Sequence, residues 1–311
     1  MKLLMLRGHV PQDRSPDEIK YRRIDEVDDI YELLAYYLGD EGCEILYEGG
    51  SREVSYSDKC ACRWVPSMKK HELPWKPDVI FIRGAFDFYK PMLKRYPDAT
   101  KIYYGAGKNW LPENAGHYKI VLVDSLRQKE LAAAKNVFNT LIWKKPVAPM
   151  FKYQERDRMY DLCFVAAIPD DARKNVKWVY ETCPSYYKVL QLGFQPKNFI
   201  IPPNFKIRHL LRSDMPRAMN KCRLGIVPYT KDDSGPRAMV EMMACGLDVV
   251  CLKSVQHCMP IKSYDEDLFW QIADRKLHSF DESVSKTRSE TIGFQNSPQT
   301  IASFVRDAIW A

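Results

Sequence analysis

Apolar positions along this chain follow two rhythms in turn. Short, mostly apolar runs recur at Leu3–Leu6, Glu44–Tyr47, Val79–Ile82, Lys101–Tyr104 and Ile120–Val123. Runs of that length read as strands buried on both faces of a sheet. Between the first two, Ile19, Ile24, Val27, Ile30, Leu33, Leu34 and Leu38 recur near helical spacing, which predicts a helix. Ser125 stands where its side chain would cap a helix running through Leu131 and Ala134. The rhythm breaks from Lys144 to Arg158, where Lys144-Lys145-Pro146-Val147-Ala148-Pro149 has no period, and this stretch reads as a linker.

A second series follows: strands at Leu162–Ala166, Val189–Leu192, Leu224–Val227 and Val249–Leu252, with helices near 173–181, 214–221 and from Pro236. Ile301, Phe304, Val305 and Ala308 predict a closing helix. Strands alternating with helices imply α/β units with parallel sheets. The expected division is 1–148 and 149–296, with the closing helix, 297–311, packing back on the first part. No sequence repeat relates the halves.

The 311 residues suit two domains. With 46% hydrophobic and 28% charged residues the composition is that of an ordinary globular protein. No apolar run approaches the roughly 20 residues that span a bilayer, and the start is too short in its apolar stretch for a signal peptide. The expectation is a cytoplasmic protein, with a virus-encoded one acting in host cytoplasm kept open. Among nine cysteines, Cys163, Cys245 and Cys251 lie in apolar runs and read as reduced, small hydrophobes; no disulfide framework is expected. Cys60-Ala-Cys62, with Cys43 and His71 nearby, is tighter than the usual zinc spacing and has no second pair, so no metal site is assigned. A net charge of +7 favours peripheral contact with a polyanion, whether nucleic acid, an anionic membrane or the diphosphate of a ligand.

The chemistry concentrates in Arg223–Val250: a buried strand, a polar loop holding Asp233, Ser234 and Gly235, a helix with Pro236 in its first position, Gly246 at its end, and another strand. A helix N-terminus at the carboxyl end of a parallel strand suits a phosphate, because its free N–H groups and positive dipole end face the ligand.

Asp233 and Glu241 are separated by seven residues, and Ala244-Cys245-Gly246-Leu247 forms a small-residue turn before a buried strand. This segment resembles the donor-binding motif of the group-1 GT-B retaining glycosyltransferases. The Arg237–Glu241 spacing is similar to that of their spore-coat-like branch. The resemblance implies the GT-B architecture, two facing Rossmann-like domains with parallel sheets, the first binding the acceptor and the second a nucleotide-diphosphate sugar, most often a UDP-sugar. It implies that Glu241 accepts from the ribose hydroxyls, that Asp233 orients sugar hydroxyls, and that N–H groups of Ser234, Gly235 and Arg237 hold the diphosphate. Asp233 departs from the family's usual glutamate, which is one methylene longer. Arg173 and Lys174 fall near a basic position that grips phosphates in this family; the Gly-Arg that precedes it there is replaced by Ala166-Ala167.

Catalysis of this kind relies on cations and N–H dipoles that stabilise the leaving diphosphate, so no cofactor or metal is required. Asp265-Glu266-Asp267 reads as an acidic helix start. On the acceptor side, His9 or Asp87 would assist deprotonation of the acceptor hydroxyl, each in a glycine-containing loop after a strand, as is Tyr104–Trp110. The acceptor is either a glycan or lipid, or a hydroxymethylated base in DNA; Trp143-Lys144-Lys145, Lys174–Trp178 and Arg208–Arg212 supply basic and aromatic residues for the DNA reading. The alternative function is a catalytically silent nucleotide-sugar-binding module.

Overall fold

The computed structural model describes the chain apart from residues 9–22, 25–26, 28, 50–51, 57–58, 85–86, 106–110, 112–113, 167–171, 198, 230–235 and 253–261, and describes only the backbone of 52–56. It divides into two compact units, Met1–Ala148 with Pro298–Ala311, and Pro149–Ser297.

In the first unit the apolar runs become strands of one sheet: β1 (Lys2–Arg7), β2 (Gly42–Glu48), β3 (Arg52–Tyr56), β4 (Cys60–Val65), β5 (Val79–Arg83), β6 (Thr100–Tyr104), β7 (Ile120–Val123) and β8 (Thr140–Ile142). The order is β3-β4-β2-β1-β5-β6-β7-β8, and every pairing is parallel except that of β3 with β4. Leu3, Leu4, Met5 and Leu6 are all buried, as expected of a strand covered on both faces. Helix α1 (Ile30–Leu38) is shorter than its apolar spacing suggests. Asp29 starts it, accepting from the N–H groups of Tyr31 and Glu32 at 2.8 and 3.1 Å, which fixes the N-cap. Val27 is buried ahead of the helix, and Ile19 lies outside the described residues. Helices α2 (Lys90–Arg95) and α3 (Leu126–Ala133) complete the sequence-contiguous part, and Ser125 caps α3 by accepting from Gln128 N–H at 3.3 Å.

The closing helix spans Pro298–Trp310 and packs on α1. Arg306 donates to the carbonyls of Tyr37 and Leu38 at 2.7 and 3.3 Å, satisfying acceptors that the end of α1 leaves open. Cys43 and Cys60, opposite each other on β2 and β4, form a disulfide, which corrects the expectation of reduced cysteines there and removes two ligands of the C-x-C knuckle. His71 Nε2 is instead 2.7 Å from Glu44 Oε1. Cys163, Cys245 and Cys251 are free and buried.

The second unit holds a six-stranded parallel sheet of β9 (Tyr160–Ala166), β10 (Val189–Gly193), β11 (Phe205–Arg208), β12 (Cys222–Val227), β13 (Asp248–Leu252) and β14 (Ser263–Tyr264), in the order β11-β10-β9-β12-β13-β14. Its helices are α4 (Val176–Thr182), α5 (Met215–Met219), α6 (Arg237–Ala244), α7 (Glu266–His278) and α8 (Glu282–Gln295). Asp265 occupies the N-cap position of α7, with Glu266 and Asp267 in its first turn, where negative charge suits the helix dipole. Among the described residues no helix is long and apolar enough to cross a membrane.

Charge enters the first unit's core at the carboxyl end of β1. Arg7 is buried and donates through Nη1 to Asp29 at 2.8 Å and to the Tyr47 hydroxyl at 2.5 Å. Burial opposes ionisation of Asp29, but the charge and hydrogen bond of Arg7, with the two α1 amides, outweigh it and hold the carboxyl well below its ordinary range. A depressed carboxyl contributes stability that is complete above its unfolded pKa and lost as pH falls toward its folded value. Asp29→Asn should therefore lower the unfolding free energy by about 3 kcal/mol, as when one partner of a buried pair is removed. In denaturant titrations the deficit should stay constant from neutral pH to about 4 and shrink only below that. A deficit that vanishes already near pH 6 would show that the pair is not what holds this edge.

Candidate functional site

Helix α6 is seated by small residues. Gly225 lies in β12, and a Cβ there would stand 2.8 Å from Met242 Sδ, so the Met242 side chain of the helix packs in the space this glycine leaves. At its other end Gly246 has φ +87°. Its N–H donates to Met243 O at 2.9 Å and Leu247 N–H to Met242 O at 3.1 Å, the paired bonds of a Schellman motif. Helix α8 covers this turn: Ser289 Oγ donates to Ala244 O, and Arg288 Nη1 to Gly246 O at 3.0 Å. The helix begins at Arg237, with Pro236 as N-cap rather than in the first helical position.

This seating places Glu241 inside the unit, only 2% exposed. Two arginines converge on one of its oxygens. Arg212 Nη2 donates to Oε1 at 2.6 Å, and Arg237 Nε lies 3.2 Å from the same atom. Among the described residues none bonds Oε2. Arg212 follows β11, with its guanidinium 5.0 Å from the Phe151 ring centroid. The spacing of Arg237 to Glu241 is visible in the sequence; Arg212, 29 residues away from Glu241, carries no such signal.

Lys174 and Arg173 lie in a 3₁₀ turn before α4. Lys174 Nζ sits 3.9 Å over the ring of Tyr229, whose hydroxyl donates to Val165 O. That brings Lys174 to the carboxyl ends of β9 and β12. These strands flank the point where the strand order reverses, the usual ligand position in an open parallel sheet. At the ends of β10 and β11, the rings of Phe194 and His209 stack at 3.9 Å, with Phe194 exposed; His209 belongs to the Arg208–Arg212 stretch read as a basic and aromatic patch, whereas nothing in the sequence points to Phe194. Asp233, Ser234, Gly235 and His9 lie outside the described residues.

In general the fold of a chain persists when its sequence has drifted, and three solved structures share this one. Sucrose-phosphate synthase from Thermosynechococcus elongatus is 10% identical, with 98% of this chain and 97% of that one covered and a TM-score of 0.70. A glycosyltransferase from Rickettsia africae is 12% identical over 99% and 97%, at 0.68. Anabaena HepE in complex with UDP and glucose is 10% identical over 100% and 99%, at 0.63. The fold is GT-B. No protein-family model and no curated protein matches the sequence.

In this GT-B chain several residues read as a surface for DNA have other work. Trp143 is buried and donates to Asp124 Oδ1 at 3.2 Å, and Lys145 Nζ lies 3.1 Å from Asp124 Oδ2. Trp178 stacks on Trp270 at 5.7 Å and packs edge-on against Phe269. Arg212 belongs to Glu241. Asp87 is exposed and 2.6 Å from Lys90, whose hydrogen bond and charge lower its pKa. An acid so paired is a weaker base than a free one.

Gly246→Ala places a side chain at positive φ and 2.7 Å from Ser285 O. It should lower the stability of the chain by about 2 kcal/mol or more, measured by denaturant unfolding. An alanine tolerated at no cost would show that α6 and α8 are not packed as described.

Proposed function

We propose that this GT-B chain is a nucleotide-sugar-dependent glycosyltransferase that moves a sugar from a UDP-sugar to an acceptor hydroxyl with retention at the anomeric carbon. The observation that carries the reading is the Arg212–Glu241–Arg237 cluster, buried beside the start of α6 in the second unit. One carboxylate oxygen is consumed by the arginines, and the other is left to accept from the vicinal hydroxyls of a ribose. The ligands named for the HepE structure, UDP and glucose, agree in chemistry with such a donor.

The roles proposed here rest on the family resemblance, supported where residues are described by the cluster around Glu241. Lys174, Arg173, Arg212 and Arg237 supply positive charge for the diphosphate. The first amides of α6, continued by those of Ser234 and Gly235, meet its oxygens as negative charge develops on the leaving group. Asp233 orients the hydroxyls of the transferred sugar. His9 is the proposed group for the acceptor proton, preferred to Asp87 because of the Asp87–Lys90 pair. In this scheme the acceptor approaches on the face from which the diphosphate leaves, and no protein nucleophile or metal takes part. The packing of Trp143 and Trp178 within their own units favours a glycan or lipid acceptor over a flipped DNA base, which needs free aromatic surfaces for stacking.

Calorimetry with nucleoside diphosphates tests the donor site without knowledge of the acceptor. UDP should bind, and Glu241→Gln should weaken it about tenfold or more, the worth of a charge-assisted hydrogen bond. Absence of UDP binding to the folded parent protein would end this reading. Asp233→Asn should leave UDP affinity near the parent value while reducing UDP-sugar hydrolysis and transfer by about tenfold or more. Equal turnover in both proteins would remove Asp233 from the sugar site.

A further inference from the structure

Among the described residues of the first unit, none pairs with one of its cations, Arg83. Arg83 ends β5, and in the parallel pairing of β1 with β5 its Cα partner is Arg7. The two guanidiniums therefore leave the same edge of the sheet from neighbouring strands. The strand order turns there: β2 and β4 lie beyond β1 on one side, and β5 to β8 follow on the other. Such a reversal leaves a crevice outside the carboxyl ends of the two strands, where open parallel sheets bind their ligands. Gly84, at φ +85°, turns the chain away directly after Arg83, with its N–H on Tyr104 O at 2.9 Å.

Among the described residues, three carboxylates near these strand ends have partners of their own. Asp29 holds Arg7 and caps α1. Glu32 Oε1 accepts from the Tyr47 hydroxyl at 3.1 Å and from Cys62 Sγ at 3.8 Å. Asp124 is met by Lys145, by Trp143 Nε1 and by the Tyr104 hydroxyl at 3.2 Å. Among the described residues Arg83 has no carboxylate within ion-pair distance. Its buried Nε has no hydrogen-bond partner, and neither has that of Arg7. What Arg83 does have is the Tyr31 ring, 4.3 Å from its Cζ, which positions the guanidinium. A planar fork held against an aromatic face is preorganised for two parallel bonds to a carboxylate or phosphate. Arg7 is buried and Arg83 half-buried, and among the described residues only Asp29 forms an ion pair with either, so a bound anion would offset charge that is partly desolvated.

We propose that Arg83, flanked by Arg7, is an anion subsite of the first unit, and that the acceptor is correspondingly a sugar or related polyol bearing a carboxylate or a phosphate. The proposal rests on the glycosyltransferase reading for the word acceptor, but not for the anion site itself. Tyr31 orients the guanidinium, Arg83 makes the contact, and Arg7 is a positioning residue because its Nη1 is already taken by Asp29 and Tyr47.

The test is a binding comparison with UDP saturating the second unit, so that phosphate probes cannot occupy the donor site. The probes are hexose 6-phosphates, hexuronates and the matching neutral hexoses, titrated calorimetrically into the parent protein, Arg83→Gln and Arg83→Lys. One anionic class should bind the parent at least tenfold more tightly than its neutral counterpart, and which class does so distinguishes phosphate from carboxylate. Arg83→Gln should abolish that preference with UDP affinity unchanged. Arg83→Lys keeps the charge against Tyr31 but not the fork, and should lose at least threefold. Equal binding of charged and neutral sugars to the parent overturns the proposal, as does a preference that survives in Arg83→Gln. If Arg83→Gln does not fold, undiminished anion affinity in Arg83→Lys overturns it instead. Failure of UDP to bind counts against the donor reading alone, since the difference between parent and Arg83→Gln still isolates the subsite.

Discussion

A parallel sheet delivers the carboxyl ends of all its strands to one edge, and nearly every functional argument about this chain descends from that constraint. The strands are buried on both faces, so a polar side chain within them needs an internal partner, as Glu44 has in His71 and Gln191 in Tyr180, and most charge gathers where strands end. In the first unit Arg7, Arg83, Tyr104 and Asp124 stand at or just beyond strand ends. In the second unit the same edge gathers Lys174, Tyr229, Phe194 and His209. Charge at such an edge is partly desolvated, so each group needs a partner or a ligand. Asking which of them lack a protein partner is therefore a direct question about binding.

The answer differs between the units. In the second, the buried acid is Glu241, and its two arginines use one oxygen and leave the other. On the proposed reading this arrangement accepts hydrogen bonds at a carboxylate and attracts negative charge nearby, the combination that a nucleoside diphosphate requires. Its precision depends on close packing at a distance from the ligand. Gly225 lets α6 lie on β12, and Gly246 with Ser285 and Ser289 lets α8 close over the end of α6. A methyl group added at Gly246 would meet the Ser285 carbonyl of α8 at 2.7 Å, and one at Gly225 would displace the Met242 side chain. In the first unit the imbalance has the opposite sign: Asp124 is enclosed by donors and burial raises its pKa, partly offset by Lys145, Trp143 and Tyr104, while Arg83 pairs with no carboxylate among the described residues.

Much of this α/β organisation was legible in the sequence because it rests on local signals. Val79–Ile82 and Ile120–Val123 announce buried strands by their composition, Ser125 by its capping chemistry, and Gly246 by the φ that a helix end demands. The β3–β4 hairpin escaped because Arg52–Tyr56 and Cys60–Val65 are mixed in polarity, and β11 for the same reason. The Cys43–Cys60 disulfide depends on the register of two strands not adjacent in sequence, which no spacing rule supplies. Helix α1 was overextended because apolar spacing continues upstream of Asp29, whereas the cap, not the spacing, decides where a helix starts. In the candidate site, Glu241 and Arg237 share one helix face and were legible. Arg212 reaches Glu241 only through the tertiary fold, and Arg83 matters only through the partners it lacks.

That difference bears on how the positive charge of the chain should be understood. A net charge of +7 invites the picture of a basic surface awaiting a polyanion, and clusters of lysine, arginine and tryptophan in sequence reinforce it. The fold spends much of that charge internally. Arg7 is held by Asp29, Lys145 by Asp124, Arg158 by Glu282, Arg212 by Glu241 and Lys276 by Asp248, and Trp143 is core. Reversing Lys145 or Arg212 would therefore disturb a buried pair before it disturbed any surface, and a loss of nucleic-acid binding in such a variant would say little about DNA. Charge that is already paired raises the net count without offering a contact. By this reasoning the informative cations are the ones held in place without a counter-charge, and Arg83, set over the Tyr31 ring on the strand beside Arg7, has none among the described residues.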